Sequence, residues 1–441
     1  MKRCVMLILV LAVCFPAESR SQQENSLTLQ EAIRIGRQQS HLLKASMAKA
    51  DGADARAREA GSALLPSIKI DGSYRRLSSV APFAVSLPFP GFVPVVIQPF
   101  IADNYQLHAG IQQPLFTGFR LSSNAEATRL QADAGALDSR SEESDLVVSI
   151  ATAYWTLYQS KEIQTALTDN VARLEQYQRD TKNLLGAGLA TKNDLLRVQV
   201  QLQNSRLSLI DAENDEQIAQ MNLNIAIGRP AETPITLASS PTMLSSDTLL
   251  QGSVAEALIA RPDVAAQETR VRASDVAVTA ARGGYFPQIA LSANYYYSKP
   301  NQRYFPLVNQ WKDSWDLGVQ LQLDVWNWGA TAAQTEQAEA ALAANKEMLA
   351  QMKQMVSLDV QRSLLSVKRA KEKVDVARLG VSQAEENSRM LSDKYHSGLA
   401  TSTELLDANV ALVQSKTALS AALVEQAIAG VRLEKSLGRN Q

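Results

Sequence analysis

Apolar residues recur in alternating steps of three and four along two long segments of the chain. The first series is Leu195, Val198, Leu202, Ser205, Leu209, Ala212, Glu216, Ala219, Leu223 and Ala226. The second series is Leu405, Ala408, Leu412, Ser415, Leu419, Ala422, Gln426, Ala429, Leu433 and Ser436. Large and small residues alternate in both, which suits leucine side chains that pack into holes lined by small residues. A sustained seven-residue period predicts long helices that pack as left-handed coiled coils.

The second series repeats the first at an offset of 210 residues. At this offset Gly188-Leu189-Ala190-Thr191 recurs as Gly398-Leu399-Ala400-Thr401, and Asp194 recurs as Glu404. Neither series, nor the long segment before it, contains proline, which fits uninterrupted helices. A repeat of this length is too long for a solenoid. We therefore predict a duplicated, domain-sized module with one long helical hairpin in each copy.

Each copy also contains two segments in which apolar and polar residues alternate. A period of two over about ten residues is the signature of a strand with one apolar face. We predict strands at about 68–77 and 104–114 in the first copy, and at about 288–298 and 315–326 in the second. The polar positions of these strands are Lys69, Asp71, Arg75, Gln106, Gln112, Gln320, Gln322 and Asp324.

Each copy opens with a capping-box sequence, Thr28-Leu29-Gln30-Glu31 in the first and Ser253-Val254-Ala255-Glu256 in the second. This predicts one amphipathic helix at the start of each copy. The two helices are expected to end before Leu65-Pro66 and Phe286-Pro287, because the residue before a proline avoids the helical region. The predicted order in each copy is helix, strand, loop, strand, long helix, turn, long helix.

The first residues combine two basic side chains, Lys2 and Arg3, with an apolar run from Cys4 to Phe15. This arrangement is typical of a secretory signal peptide. One alternative is an uncleaved anchor, but the run is shorter than the ~20 apolar residues of a spanning helix. Another is lipid attachment at Cys14, where Val13 is bulkier than the small residue expected before a lipidated cysteine.

These patterns predict the following organisation. A signal peptide (1–19) precedes a first repeat (20–229) whose hairpin spans 121–229, a linker (230–252) follows, and a second repeat (253–441) has its hairpin at 329–438.

Composition argues against a catalytic, metal or nucleic-acid site. The only cysteines are Cys4 and Cys14, and the only histidines are His41, His108 and His396. Removal of a signal peptide would remove both cysteines, and the histidines are too far apart for a metal motif. A net charge of −1 argues against the basic face of a nucleic-acid binder. We expect no cofactor, no metal and no nucleic-acid partner, and we expect that the protein is not an enzyme.

The predicted strands fit a membrane barrel better than a soluble core. Trp311, Trp315, Trp326 and Trp328 lie near strand ends, where membrane barrels carry aromatic girdles. Four strands cannot close a barrel, and an open sheet edge in lipid leaves backbone groups unpaired. We therefore predict an oligomer in which the polar strand faces line a water-filled lumen.

In their order and duplication, the motifs resemble the TolC-like outer membrane efflux proteins. The similarity rests on Leu27-Thr28-Leu29-Gln30-Glu31-Ala32-Ile33, Pro66-Ser67-Ile68, Gln113-Pro114-Leu115-Phe116-Thr117-Gly118, Arg261-Pro262-Asp263, Pro287-Gln288-Ile289 and the paired Gly-Leu-Ala-Thr turns. The resemblance implies mixed α and transmembrane β structure. A homotrimer would form a twelve-stranded outer-membrane β-barrel, continued by a long periplasmic α-helical coiled-coil barrel of twelve helices.

The resemblance also implies a location and partners. The chain would lie in the outer membrane of a Gram-negative bacterium, in contact with outer-membrane lipid and with a large periplasmic portion. It would dock onto a periplasmic adaptor (membrane fusion) protein and an inner-membrane pump of the RND, ABC or MFS type. It would then be the passive exit duct of a tripartite efflux or type I secretion system. The alternatives are a periplasmic coiled-coil adaptor or scaffold without a pore, and a secreted enzyme, for which the sequence has no assembled catalytic set.

The turns between the long helices have a structural explanation and an implied role. Glycine suits the position after a helix, and threonine followed by an acid three residues later suits a helix start. By resemblance, the turns form the periplasmic tip, and the adaptor would dock at Gly188, Leu189, Thr191, Gly398, Leu399 and Thr401. The residues matching the family's aperture are Asp407, Glu404, Tyr395 and Asp194. A ring of carboxylates would concentrate cations, although Glu404 and Asp194 also fit solvated helix-end acids.

Overall fold

The computed structural model describes residues 26–85, 88–238 and 253–439 of the 441-residue chain. The predicted signal peptide and residues 239–252 of the predicted linker lie outside the described residues. The chain divides into two compact units. The first comprises the described parts of Met1–Gln38, Ile150–Met243 and Ala377–Val424, and the second those of Gln39–Ser149, Leu244–Val376 and Glu425–Gln441. Both units contain residues of both copies.

The described helices and strands follow the predicted order, with additions. The helices are α1 (Leu29–Gln39), α2 (His41–Ser62), α3 (Arg120–Gly186), α4 (Lys192–Ala226), α5 (Val254–Ala260), α6 (Pro262–Arg282), α7 (Ala330–His396) and α8 (Ser402–Ser436). The strands are β1 (Ser67–Arg76), β2 (Phe83–Val85), β3 (Val95–Gln98), β4 (Asp103–Phe116), β5 (Gln288–Lys299) and β6 (Lys312–Gln322).

The long helices of the two predicted copies match in length and in spacing along the chain. α3 and α7 are each 67 residues long, and α4 and α8 are each 35 residues long. Every bound of the second pair lies 210 residues after the matching bound of the first. In both series the predicted heptad positions are buried or half-buried. Packing of these stripes, rather than helix propensity, is the main source of stability for helices of this length.

One antiparallel sheet holds the four long strands in the order β1-β4-β5-β6, so β1 and β6 are its edges. At one end of the sheet each of the four strands connects to a helical segment. At the other end loops connect β1 to β4 and β5 to β6. Pro114 lies at a register shift near the end of β4, where a residue without an N–H group is tolerated. The loop between β1 and β4 contains a separate hairpin, β2–β3, which the alternation pattern did not predict.

The single helix predicted at the start of each copy is wrong in both, because each is broken in two. In the first copy Ser40 caps α2, and its hydroxyl accepts a hydrogen bond from the backbone N–H of Leu43 at 3.4 Å. In the second copy Pro262 is the first residue of α6, and Arg261 has extended backbone. A proline at this position lacks the N–H that would continue α5.

The predicted capping boxes at these starts are only half formed. Thr28 and Ser253 accept the expected backbone N–H bonds, at 3.1 and 3.2 Å. The two glutamates bind arginines instead of closing the box: Glu31 pairs with Arg34, and Glu256 pairs with Arg439.

Ion pairs of Arg261 stabilise the break between α5 and α6. Its guanidinium donates to Asp263 at 2.8 Å and to Asp359 of α7 at 2.7 Å, and its side chain is largely buried. Apolar residues of α5, α6, α7 and α8 form the core beside it, including Val264, Val360 and Leu433. Arg261-Pro262-Asp263 therefore joins the start of the second copy to this core.

Candidate functional site

The register of the sheet separates a polar face from an apolar face. Lys69, Asp71 and Arg75 pair with Gly110, His108 and Asn104, so these side chains share the face that also carries Gln106 and Gln112. The pairing continues through β5 to Gln320 and Gln322 of β6 on the same face. Asp324 is the exception among the predicted strand residues: β6 ends at Gln322, so Asp324 lies beyond the strand. The run of alternating residues continues past the last ladder partner, which the pattern alone could not reveal.

The opposite face of the sheet is apolar and exposed. Its members include Ile68, Ile70, Leu107, Leu317, Val319 and Leu321, all of which leave more than half of their surface uncovered. A contiguous apolar patch of this kind marks a surface that meets another apolar phase, such as lipid or a partner protein.

Aromatic side chains lie at both ends of the strands. Tyr74, Tyr105, Tyr297 and Trp311 cluster at the loop end, where Tyr297 stacks on Trp311 with ring centroids 4.9 Å apart. At the helix end Trp326 contacts Trp328 edge to face at 5.7 Å, and both are exposed. Two aromatic bands that flank an apolar surface are the arrangement found in membrane barrels.

A continuous row of hydrogen bonds crosses the polar face from β1 to β6. We call Asp71, His108, Asn294 and Asp316 the polar row. His108 Nδ1 lies 2.8 Å from Asp71 Oδ1, and His108 Nε2 lies 3.0 Å from Asn294 Oδ1. Asn294 Nδ2 donates to Asp316 Oδ1 at 2.8 Å. Because both ring nitrogens of His108 face oxygen acceptors, the row satisfies every partner only when both nitrogens carry protons.

The turns between the long helices share one backbone design. Gly188 and Gly398 have φ of 75° and 72°, which favours glycine. In each turn the next leucine donates its N–H to the carbonyl five residues earlier at 2.8 Å, from Leu189 to Leu184 and from Leu399 to Lys394. This is the Schellman arrangement, in which that apolar residue usually packs against the helix. Here the two leucine side chains remain 75% and 79% exposed.

Both turns also carry the predicted capping box. Thr191 donates its N–H and its hydroxyl to Asp194 at 2.9 and 2.6 Å, and Thr401 donates its N–H and its hydroxyl to Glu404, each at 2.8 Å. In the first unit, Asp194 additionally accepts the hydroxyl of Ser402 at 2.6 Å. The bonds from Ser402 and Thr191 hold the pKa of Asp194 below its usual value. The bonds from Thr401 lower the pKa of Glu404.

The four residues matched to an aperture differ in burial. Tyr395 is only 5% exposed and packs with Leu174, Leu202 and Leu405, while its hydroxyl lies 2.7 Å from that of Thr181. Burial raises its pKa. This side chain is part of the core of the first unit, and its place beside an aperture stays a prediction. Asp407 is exposed on α8, and the described residues give it no hydrogen-bond partner.

Sequence reasoning missed the hydrogen bonds that join strands. His108, Asn294 and Asp316 occupy polar positions of the alternating segments, so the alternation could have placed them on the polar face. Arg303, which binds Asp316 from the loop after β5, has no local pattern that marks it.

The described residues contain no group of three histidine, cysteine or acidic side chains arranged to hold a metal ion. None of their helices is long and apolar enough to cross a membrane.

Comparison with known proteins was made for both sequence and fold. The profile described as outer membrane efflux protein matches residues 32–229 and 254–439. The chain is 25% identical over 441 residues to the pyoverdine export outer membrane protein OpmQ of Pseudomonas putida, covering 93% of this chain and 85% of that protein. It is 23% identical over 304 residues to the probable efflux pump outer membrane protein TtgC of Pseudomonas putida. That match covers 68% of this chain and 61% of TtgC, which is less than two thirds of the relative's length.

Solved structures of outer-membrane channels have the same fold. The outer membrane protein VceC from Vibrio cholerae gives a TM-score of 0.78 at 19% identity, over 93% of this chain and 96% of that chain. The outer-membrane channel OprN gives a TM-score of 0.76 at 18% identity, over 93% and 89%. The family profile covers most of the sequence, and so this chain belongs to the outer membrane efflux protein family.

Proposed function

We propose that three copies of this chain form a passive outer-membrane exit duct for a tripartite efflux system. The observation that carries the proposal is the four-stranded sheet, which has one apolar exposed face, one polar face and two edges, β1 and β6, that no other described strand pairs with. When a sheet edge lies in lipid, its backbone N–H and C=O groups need hydrogen-bond partners from protein. Pairing β6 of one copy with β1 of the next supplies them. Three copies give twelve strands, within the range of closed outer-membrane barrels. The polar face would then line the lumen.

A second surface supports association between copies. We call Leu196, Val200, Leu207, Ile210, Ile218 and Ile225 the α4 stripe. All six are exposed and recur at roughly helical spacing. The residues 210 positions later on α8 are all buried or half-buried. A regular apolar stripe that one copy of the module leaves open is suited to cover by a neighbouring subunit.

The hairpin turns are suited to docking an adaptor. Leu189 and Leu399 are large apolar side chains held in the open by a rigid backbone turn. Exposed apolar anchors on an ordered backbone lose little conformational entropy on binding. We propose that they contact the adaptor together with Gly188, Thr191, Gly398 and Thr401. Asp407, with Asp194 and Glu404, would supply the negative charge of a cation-favouring aperture at this tip.

The relatives' names give a cargo class to test. One is named for pyoverdine export and another for toluene efflux. We propose that the cargo is a small organic molecule, delivered by an inner-membrane transporter through the adaptor.

Cysteine crosslinking tests the pairing of edges. The only cysteines in the sequence are Cys4 and Cys14, so replacing both by serine gives a clean background. Ser73→Cys on β1 would be combined in turn with Asp316→Cys, Gly318→Cys and Gln320→Cys on β6. One of these pairs should give covalent trimers on denaturing gels after oxidation. The control pair, Ser73→Cys with Asn294→Cys, lies on β1 and β5, which β4 separates. Monomeric mass and no crosslink from any β1–β6 pair would refute the trimer.

Conductance and efflux test the duct itself. The purified protein should give discrete conductance steps in planar bilayers, and Asp407→Ala should reduce their cation selectivity. In cells that lack their own channel, Leu189→Asp/Leu399→Asp should abolish efflux of a toxic dye without loss of trimer. Ile259→Asp, at an 86% exposed position of α5 away from the turns, is the matched control. A tip variant that still supports efflux would exclude docking through these leucines.

A further inference from the structure

The loop between β5 and β6, residues 300–311, is bound to the polar face of the sheet. Arg303 pairs with Asp316, donates to the carbonyl of Trp315 at 2.9 Å, and lies over the ring of Tyr296 at 5.1 Å from its centroid. Tyr296 and Asp316 both point to the polar face, because they pair with His108 and Asn294. The loop therefore folds over that face and does not stand away from the sheet.

A second residue fixes the loop from within. Asn301 is only 4% exposed and donates to the carbonyl of Lys312 at 3.1 Å and to the hydroxyl of Ser314 at 3.0 Å. Its own side-chain oxygen accepts the backbone N–H of Arg303 at 3.0 Å. This bond places the arginine, so that its fork reaches Asp316.

The polar row gives Arg303 a prepared binding surface. Asp316 is held by Asn294, and Tyr296 is stacked on His108 at 4.7 Å between ring centroids. An exposed ion pair alone stabilises little. Here one guanidinium makes an ion pair, a backbone bond and a cation–π contact on residues that are already fixed.

The loop between β1 and β4 provides a contrast at the same end of the sheet. Residues 77–102 contain no charged side chain, and many apolar ones, such as Phe83, Phe89 and Val93, are exposed. Among its described residues, β2 and β3 are the strands and pair with each other. Of the two loops, the one between β5 and β6 has the charged residue that ties it to the polar face.

From these contacts we infer that Arg303 and Asp316 form a latch that holds residues 300–311 over the lumen and sets the outer aperture and its ion selectivity. The inference rests on the proposed duct, in which the polar face lines the lumen. In the trimer three latched loops would narrow the outer end. Charge at this end would be set by Asp316 and Asp71 in the row and by Arg303, Arg75 and Lys312 around it.

Two substitutions separate the latch from simple charge effects. Arg303→Ala and Asp316→Ala both remove the ion pair, so both should release the loop and increase single-channel conductance. They change the fixed charge in opposite directions. Arg303→Ala should therefore shift the ratio of potassium to chloride permeability upwards, and Asp316→Ala should shift it downwards. Arg303→Lys keeps the charge without the fork, and should give intermediate conductance with wild-type selectivity.

The measurement is planar-bilayer recording of each variant after its trimeric mass has been verified. Arg76→Ala is the matched control, because Arg76 pairs with Asp103 at 3.6 Å at the same end of the sheet but on the apolar face. It should leave conductance and selectivity unchanged. Wild-type conductance in both latch variants, or conductance changes of opposite sign, would overturn the latch. Absence of any conductance from wild-type trimers would instead refute the proposed duct, so the two failures are distinguishable.

Discussion

The long helices of the two copies begin and end at matching positions, but their side chains lie in different environments. The α4 stripe is exposed, whereas the matching positions of α8 are buried or half-buried. Asp194 bonds to Thr191 and to Ser402, whereas the bonds of Glu404 are to Thr401 within its own turn. The duplicated residues keep the architecture, and the residues that diverged decide what each copy contacts.

We expect the largest difference between the copies at the strand-to-helix turns, in the stability lost when a glycine is replaced by alanine. Gly118-Phe119 and Trp328-Gly329, 210 residues apart, both have two successive residues with positive φ, but glycine occupies a different place in each. A Cβ atom at Gly118 would lie 2.5 Å from the carbonyl oxygen of Gly283, whereas one at Gly329 would have no neighbour within 4 Å. Gly118→Ala should therefore cost at least about 3 kcal/mol of stability, from strain plus overlap. Gly329→Ala should cost only the strain, roughly 1 kcal/mol.

Thermal unfolding in detergent, followed by far-ultraviolet circular dichroism, compares these two variants. Equal losses would show that backbone strain alone accounts for the effect and that the contact with Gly283 is relieved.

We expect the next largest difference in stability loss at the breaks between α1 and α2 and between α5 and α6. Arg261→Ala would leave the carboxylates of Asp263 and Asp359 facing each other without their cation. The bonds to Arg261 keep the pKa of Asp263 low although burial raises it. Loss of a partner from a buried pair costs up to about 3–5 kcal/mol, and because Asp359 is half exposed we expect roughly 2–3 kcal/mol. Ser40→Ala, at the matching break, removes one cap bond and should cost about 1 kcal/mol.

Denaturant titration of both variants at neutral pH measures this difference. At a pH below the pKa of Asp263 the loss in Arg261→Ala should shrink, because the Asp263 carboxyl is then neutral and no longer needs its cation. A loss that does not depend on pH would contradict the electrostatic explanation.

We expect the smallest difference in stability loss at the turns between the long helices. Asp194→Asn weakens the cap and the bond from Ser402, and should cost roughly 1 kcal/mol. Glu404→Gln weakens the cap alone and should cost less. Both acids have lowered pKa values, so their contribution is complete above the pKa of the unfolded chain and is lost as pH falls through the folded value. Acid titration of unfolding should therefore show that Asp194→Asn loses less stability on acidification than wild type does. An unchanged acid response would exclude this role for Asp194.

Periodicity was sufficient to predict the long helices and the four long strands, because burial imposes a regular spacing on each of them. The strand at 315–326 was predicted too long because Leu323 and Val325 continue the alternation after β6 has lost its ladder partner at Gln322. The breaks at Ser40 and Arg261 were missed because the apolar pattern runs through them. Pro262 was the one local signal.

The candidate site was predictable only where it depends on local sequence. The turn residues and the polar face follow from spacing. The strand register puts the predicted polar residues on one face of the sheet, apart from Asp324, while the roles of the turn residues and of the polar face stay predictions. The burial of Tyr395 against Thr181 joins residues 214 positions apart, and the His108–Asn294 bond joins residues 186 apart. Such contacts depend on register and packing, which no single segment encodes.

The attachment of all four strands to helices at one end of the sheet has a consequence for biogenesis. In the proposed barrel, the hairpins β1–β4 and β5–β6 would lie in the bilayer, so residues 77–102 and 300–311 would have to be carried across it. Translocating a charged side chain through hydrocarbon costs several kcal/mol. The first segment contains no charged residue, and the second contains only Arg303. In the proposed duct, Arg303 would therefore be both the residue that holds the folded loop in place and the single charge in these segments that opposes passage through the membrane.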